Sequence, residues 1–257
     1  MTAGYVEFEF DLPEALLDRL VKVFDSLSSA PLTATDVTAV PNEQGVYQLF
    51  HDGADGTRRL VYIGKTDAEA GLRVRLGRHA QKIQHRLMLN PADVTFKAVR
   101  VFVFTAVDLE TQLIDHYGGT PWNGSGFGSN DPGRERDTTT YKTEHFDFQF
   151  PIDLTRSLGF PLPSNATAAE VLNALKSKVP YLIRFQRPPG KPRNAHPDLE
   201  GTKVTISGTS LSAEAVIAEV IKQLPTGWHA TKLPSHVIIY KDDKRSFPSG
   251  KLIANSP

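Results

Sequence analysis

The sequence predicts an α+β protein built from two units. Between residues 45 and 117, short runs rich in Val, Ile, Tyr and Phe alternate with segments whose apolar residues recur every three or four positions. These are the periods of strand and helix. The same mixture begins again after a Pro/Ser/Asn break at 161–166. Residues 1–160 and 166–257 are therefore expected to fold as separate units, and 257 residues suffice for one large domain or two small ones.

The first unit opens with a predicted helix over 13–27. Pro13 suits a first helical turn, and Leu16, Leu17, Leu20, Val21, Phe24 and Leu27 form one apolar stripe. Residues 31–43 read as a connector. Residues 45–51 (GVYQLFH) and 58–63 (RRLVYI) read as strands joined by the turn sequence DGADGT, a hairpin. Over 71–89, Leu72, Leu76, Ala80, Ile83 and Leu87 have helical spacing, and the other face carries Arg75, Arg78, His79, Lys82 and Arg86. A third strand is expected over 94–105 and a short helix over 108–117, with Leu109, Leu113 and Ile114 inward. The Gly-rich stretch 118–140 reads as a long loop, a type that is usually functional or disordered. It carries Trp122, Phe127, Arg134 and Arg136.

The second unit is read as helix 167–178, strand 181–187, a Pro/Gly loop 188–197, strand 203–207, helix 212–224 with Ser212 as N-cap, and a last strand 236–240. Trp228 is expected in its core. His196, His229 and His236 are too scattered to suggest a metal site.

Composition removes several classes of function. The chain has no cysteine, which excludes disulfides, cysteine zinc sites and a cysteine nucleophile. No apolar run is long enough to cross a membrane. The N-terminal residues carry Glu7, Glu9 and Asp11 but no Lys or Arg, so no secretory signal is read and a cytoplasmic location is expected. Lys plus Arg equals Asp plus Glu at 29 each. The balance is uneven, however: residues 58–100 hold ten cations against three acids, a local basic face of the kind that meets phosphates.

The residue types of the first unit suit phosphodiester cleavage. Tyr47 and Tyr62 fall on the paired strands. Arg75 and His79 lie four residues apart, on one helix face. Glu110 lies on the next helix and Asn123 in the loop after it. A carboxylate can hold a hard divalent cation that keeps most of its waters. An arginine fork matches two phosphate oxygens. A tyrosine can serve as base if cations lower its pKa, and Lys65 and Arg75 are the expected cations.

Gly45-Val46-Tyr47, Tyr62-Ile63-Gly64-Lys65, Arg75 to His79, Glu110 and Asn123 together resemble the GIY-YIG nuclease family in order and spacing, with Val in place of Ile in the first motif. The resemblance covers residues 45–123. The run Trp122-Asn123-Gly-x-Gly-Phe-Gly-x-x-Asp131-Pro132-Gly133-x-x-Arg136 is similar to the type II restriction endonucleases of that family, in the group with SacII-like specificity.

The resemblance implies a small antiparallel sheet flanked by helices and one Mg²⁺ ion per active site on Glu110, with Mn²⁺ able to substitute. Tyr47 is implied as general base or water-positioning group, with Tyr62 and Lys65 supporting the nucleophile; which tyrosine is the base stays open. Arg75 is implied to stabilise the phosphorane-like charge, His79 to bind phosphate or relay a proton, and Asn123 to brace the site. Arg78, Lys82, Arg134 and Arg136 are candidate DNA contacts, as are Lys191 and Arg193 in the second unit. The expected function is site-specific cleavage of double-stranded DNA, with a homodimer on the DNA and a cognate DNA methyltransferase in the same system. The stripe over 16–27 is a candidate for part of the dimer contact. A repair or mobile-element nuclease and an inactive DNA-binding module are the alternatives.

Overall fold

The structure is a computed structural model that describes residues 4, 12–66, 70–102, 108–129, 131–188, 190, 194–207 and 211–257. It is α+β and parts into two compact units. The parting does not fall at 161–166. Residues up to Ala80 and Asn90–Asn123 form the first unit, while Gln81–Leu89 and Gly124–Pro257 form the second. No described helix is long and apolar enough to cross a membrane.

The first unit contains α1 (Leu12–Ser26), β1 (Ala30–Pro31), α2 (Ala34–Thr38), β2 (Gly45–Asp52), β3 (Arg58–Lys65), the first part of α3 (Leu72–Gln84), β4 (Val94–Arg100) and α4 (Leu109–Tyr117). Its sheet has the order β1-β4-β2-β3, with every pair antiparallel. The expected third strand is shorter than read: β4 ends at Arg100, and 103–107 lie outside the described residues. Side chains alternate across a strand. Val46 and Ile63 therefore face one way, where they join Leu20 and Phe24 of α1 and Leu109 and Leu113 of α4 in one apolar cluster. Tyr47 and Tyr62 face the other way.

Leu16, Leu17 and Val21 also pack on that cluster. The apolar stripe of α1 packs into the core of its own unit, with Leu16, Leu17 and Val21 partly buried, which leaves less of it for the dimer contact that the sequence suggested. Only Leu27, beyond the helix, stays exposed.

The second unit contains α5 (Phe146–Gln149), α6 (Ala168–Lys178), β5 (Leu182–Phe185), α7 (Pro197–Gly201), α8 (Ala213–Lys222), β6 (Trp228–Lys232), β7 (His236–Lys241) and β8 (Lys251–Asn255). Its sheet runs β5-β7-β6-β8, and β5 and β7 are parallel. Thr167 and Glu170 close a capping box on α6, and Ser212 caps α8. Residues 203–207 are not a strand; Lys203 makes only an isolated bridge to Thr167. Two strands were missed, β6 and β8. The polar residues of WHATK hide the first, and the second is an edge strand with Leu252 exposed.

The segment 124–160 belongs with the second unit because polar groups bind it there. Arg86 Nη1 lies 2.7 Å from Asp147 Oδ1, both side chains buried, and donates to Phe150 O at 2.9 Å. Ile152 and Leu154 enter the apolar core formed by α6, α8 and the sheet. Asp137 is wholly buried. Its carboxylate accepts from Arg184 Nη1 at 2.6 Å and Tyr240 Oη at 3.0 Å, and pairs with His236 Nε2 at 2.8 Å.

Burial alone would raise the Asp137 pKa, but His236, Arg184 and Tyr240 outweigh it and hold the carboxyl below its ordinary value. A depressed folded-state pKa contributes stability that is present above the unfolded value of about 3.9 and is lost as pH falls through the folded value. Asp137→Asn is therefore expected to destabilise the protein at pH 7, by about 3–5 kcal/mol if it acts like other broken buried pairs. The gap from wild type should narrow below about pH 4. Urea unfolding at pH 7 and in acid checks this, and a gap independent of pH would contradict it.

Candidate active site

All seven residues expected at the centre lie in the first unit. The register places Tyr47 opposite Gly64 and Leu49 opposite Tyr62, so the two tyrosines are diagonal neighbours on one face. Their ring centroids are 6.1 Å apart. His79 of α3 lies against both, at 5.6 Å from Tyr47 and 5.5 Å from Tyr62. Tyr47 Oη and His79 Nε2 share a buried hydrogen bond of 2.8 Å. The Tyr62 hydroxyl is hydrogen-bonded to that of Tyr47. Tyr47 is 0% exposed and Tyr62 7%, so only Tyr62 reaches the surface.

Gly64 makes this approach possible, and Gly45 lets β2 pack closely on its neighbours. A Cβ at Gly64 would stand 2.5 Å from Tyr47 Oη and 2.6 Å from its Cζ. A Cβ at Gly45 would collide with Val99 O and Leu72. The strand ends are tied by Thr66, whose Oγ1 accepts the Gly45 N–H at 2.8 Å. Sequence reading missed Thr66, although it directly follows Lys65. Asn123 has the bracing position expected of it. Its Oδ1 accepts from Ile63 N at 2.9 Å and its Nδ2 donates to Ile63 O at 2.8 Å, which fixes β3 between the two motif positions Tyr62 and Gly64.

Arg75 sits one turn before His79. Its Nε is buried and has no hydrogen-bond partner. A buried donor left open calls for an acceptor from elsewhere. Glu110 lies in the first turn of α4, where the helix dipole favours an acid. Burial raises its pKa, against the opposing influence of Lys65, Arg75 and a hydrogen bond from the Lys65 backbone. Its carboxylate makes no ion pair among the described residues.

Lys65 is not among the cations that act on the tyrosine pKa values. Its Nζ pairs with Asp108 Oδ1 at 2.9 Å, and Asp108 also accepts from Thr111. The tyrosine pKa values are not lowered either. Burial raises Tyr62, and burial together with Tyr62 raises Tyr47 well above its ordinary value, while the opposing effect of Arg75 is smaller. Both are neutral phenols at neutral pH.

The candidate DNA contacts divide. Arg78 is exposed, as expected. Lys82 instead donates from Nζ to Phe127 O and Ser129 O, clamping the 124–129 turns. Arg86, read on the same charged face, is buried on Asp147. Arg134 is exposed, whereas the Arg136 guanidinium lies over the Tyr141 ring at 5.2 Å. Lys191 and Arg193 lie outside the described residues.

Among the described residues no three His, Asp or Glu gather into a metal cage. Glu110 is the one carboxylate of the cluster left without a cation. That fits a hard ion bound through one carboxylate, waters and substrate oxygens rather than an ion enclosed by protein. No protein-family model matches the chain, and no curated protein matches it.

Gly64→Ala is expected to leave the unit folded but to push Tyr47 off His79, because the new methyl group occupies the hydroxyl's place. Tyrosine fluorescence and the ring resonances of His79 by NMR would report the change. An unperturbed His79 signal in this variant would contradict the packing argument.

Proposed function

We propose that the first unit is the catalytic unit of a metal-dependent endonuclease of the GIY-YIG type, which cuts double-stranded DNA at specific sites as restriction enzymes do. The observation that carries this reading is the packing of Tyr47, Tyr62 and His79 on one face of the sheet, with Arg75 and the carboxylate of Glu110 acting on both rings. An anionic phosphodiester oxygen is the acceptor that this arginine lacks, and charge there is stabilised most as the transition state forms.

Each side chain then has a task. Glu110 holds the divalent cation, which when bound neutralises phosphate charge and supports the leaving oxygen. Tyr62, the tyrosine that reaches the surface, positions the attacking water. As the water attacks, its proton passes to Tyr62 Oη, the Tyr62 proton to Tyr47 Oη, and the Tyr47 proton to His79 Nε2. The relay avoids a free phenolate, which burial disfavours at both tyrosines. Asn123 holds β3 still. Lys65 acts through Asp108, anchoring the start of α4 and so the place of Glu110. Arg78 contacts the DNA backbone. Cutting both strands of a palindromic target needs two such sites related by a two-fold axis, hence a dimer on DNA.

The test is plasmid cleavage with Mg²⁺, followed by sequencing of the ends. Glu110→Ala is expected to abolish cleavage while DNA binding survives, and Arg75→Ala to slow cleavage by about a hundredfold or more. Arg78→Ala should weaken binding and flatten its salt dependence. Undiminished turnover by Glu110→Ala would remove the metal assignment. Equal effects of Arg75→Ala and Arg78→Ala on binding alone would reduce α3 to an electrostatic surface.

A further inference from the structure

The second unit has a cleft of its own, about 470 Å³ in volume, at the C-terminal ends of the parallel strands β5 and β7. Two parallel strands that end together leave a crevice where their chains diverge, and such crevices are common ligand sites. Arg134, Arg184, Arg187, Lys241 and Arg245 line it, against a single acid, Asp243.

Which cations are already neutralised decides what the cleft can take. Arg184 is held by Asp137 and Asp131, the latter at 2.9 Å. Lys241 pairs with Asp198 at 2.9 Å. Arg245 grips Asp243 through Nε and Nη2 and lies over Tyr240. Arg134 and Arg187 are exposed and have no carboxylate partner among the described residues. For Arg134 this is not what its own loop suggests, since Asp131 and Asp137 flank it. Both acids are turned onto Arg184, and Asp131 also accepts from Gly133 N. Lys176 registers the resulting field: burial, then Arg187 and Arg184, push its pKa down.

We infer that this cleft is a phosphate-gripping site through which the second unit holds the backbone of duplex DNA, with Arg134 and Arg187 as the contacting groups. The inference rests on the nuclease reading for its choice of DNA, but not for the site. The two forks are free to take phosphate oxygens bidentately, while the three paired cations are neutralised and held in place by their acids, which leaves Arg134 and Arg187 as the net positive charge of the cleft. The cleft is walled by protein, which raises the local potential above that of scattered surface charge.

The experiment measures binding of a labelled duplex to the full chain without divalent metal, at several salt concentrations. The variants are Arg134→Ala/Arg187→Ala and, as a control of equal charge change in the same unit, Lys178→Ala/Lys203→Ala. Thermal melts verify that each variant is folded. The cleft variant is expected to bind about tenfold more weakly and to lose about two from the salt slope, with the control near wild type. Wild-type cleavage combined with control-like binding by the cleft variant overturns the cleft and spares the nuclease reading. Binding that depends on the cleft without any cleavage in Mg²⁺ does the reverse. A wild type that binds no duplex overturns the cleft proposal, as does one that binds a nucleoside monophosphate as tightly as duplex, since the cleft then serves a small anion.

Discussion

Tyr47 can be buried where it is only because position 64 has no side chain. The strand register sets these two residues opposite each other, and the phenol ring crosses over the glycine to reach His79 on α3. Almost everything else in the first unit serves this crossing. Asn123 clamps Ile63, the residue between Tyr62 and Gly64, with two backbone hydrogen bonds each worth about 1 kcal/mol. Thr66 closes the end of β3 onto Gly45. Behind the sheet, the stripe of α1 and the inner face of α4 fill the opposite side with apolar side chains, so one face of the strands packs on an apolar layer while the other carries the two tyrosines.

Burial decides the protonation of the site. In water a neighbouring arginine would make a tyrosine more acidic. Here desolvation exceeds that effect at both rings, and the phenols stay neutral. The same balance has the opposite result at Asp137, where one carboxylate has three donors and remains ionised although no part of it is exposed. The difference is the number and directness of partners. Arg184, His236 and Tyr240 each touch Asp137 and together outweigh its burial, whereas at the tyrosines the effect of Arg75 is smaller than that of desolvation.

The main elements of the first unit were legible because their signals are local, although β1 and α2 fall where the sequence was read as a connector. A turn of Asp and Gly between alternating strands gives the hairpin, and a four-residue spacing brings Arg75 and His79 to one face. The partners of charged groups were not legible, since these depend on tertiary placement. Lys65 faces Asp108 rather than a tyrosine, Lys82 spends its protons on two carbonyls, and Arg86 is buried on an acid sixty-one residues away. The unit boundary failed for the same reason. Pro161 and its neighbours look like a linker, yet Asp137, Asp147, Ile152 and Leu154, all before it, are bound into the second unit's interior. Strands β6 and β8 were missed because one is polar at alternate positions inside the sheet and the other is an exposed edge.

A neutral chain can still carry a cationic surface if its acids are turned inward, and this protein does so in both units. In the first, Asp108 takes Lys65 and leaves Arg75 open. In the second, Asp131, Asp137, Asp198 and Asp243 each pair with a cation around the cleft, yet Arg134 and Arg187 are left over. Pairing therefore works as selection. A salt bridge at a half-exposed site contributes little stability, about 0–1 kcal/mol, but it fixes the direction of the cation it holds and cancels its long-range field. Around the cleft, the arginines that pairing leaves without an acid among the described residues are Arg134 and Arg187. The net charge of zero, from 29 cations and 29 acids, carries no information about that set.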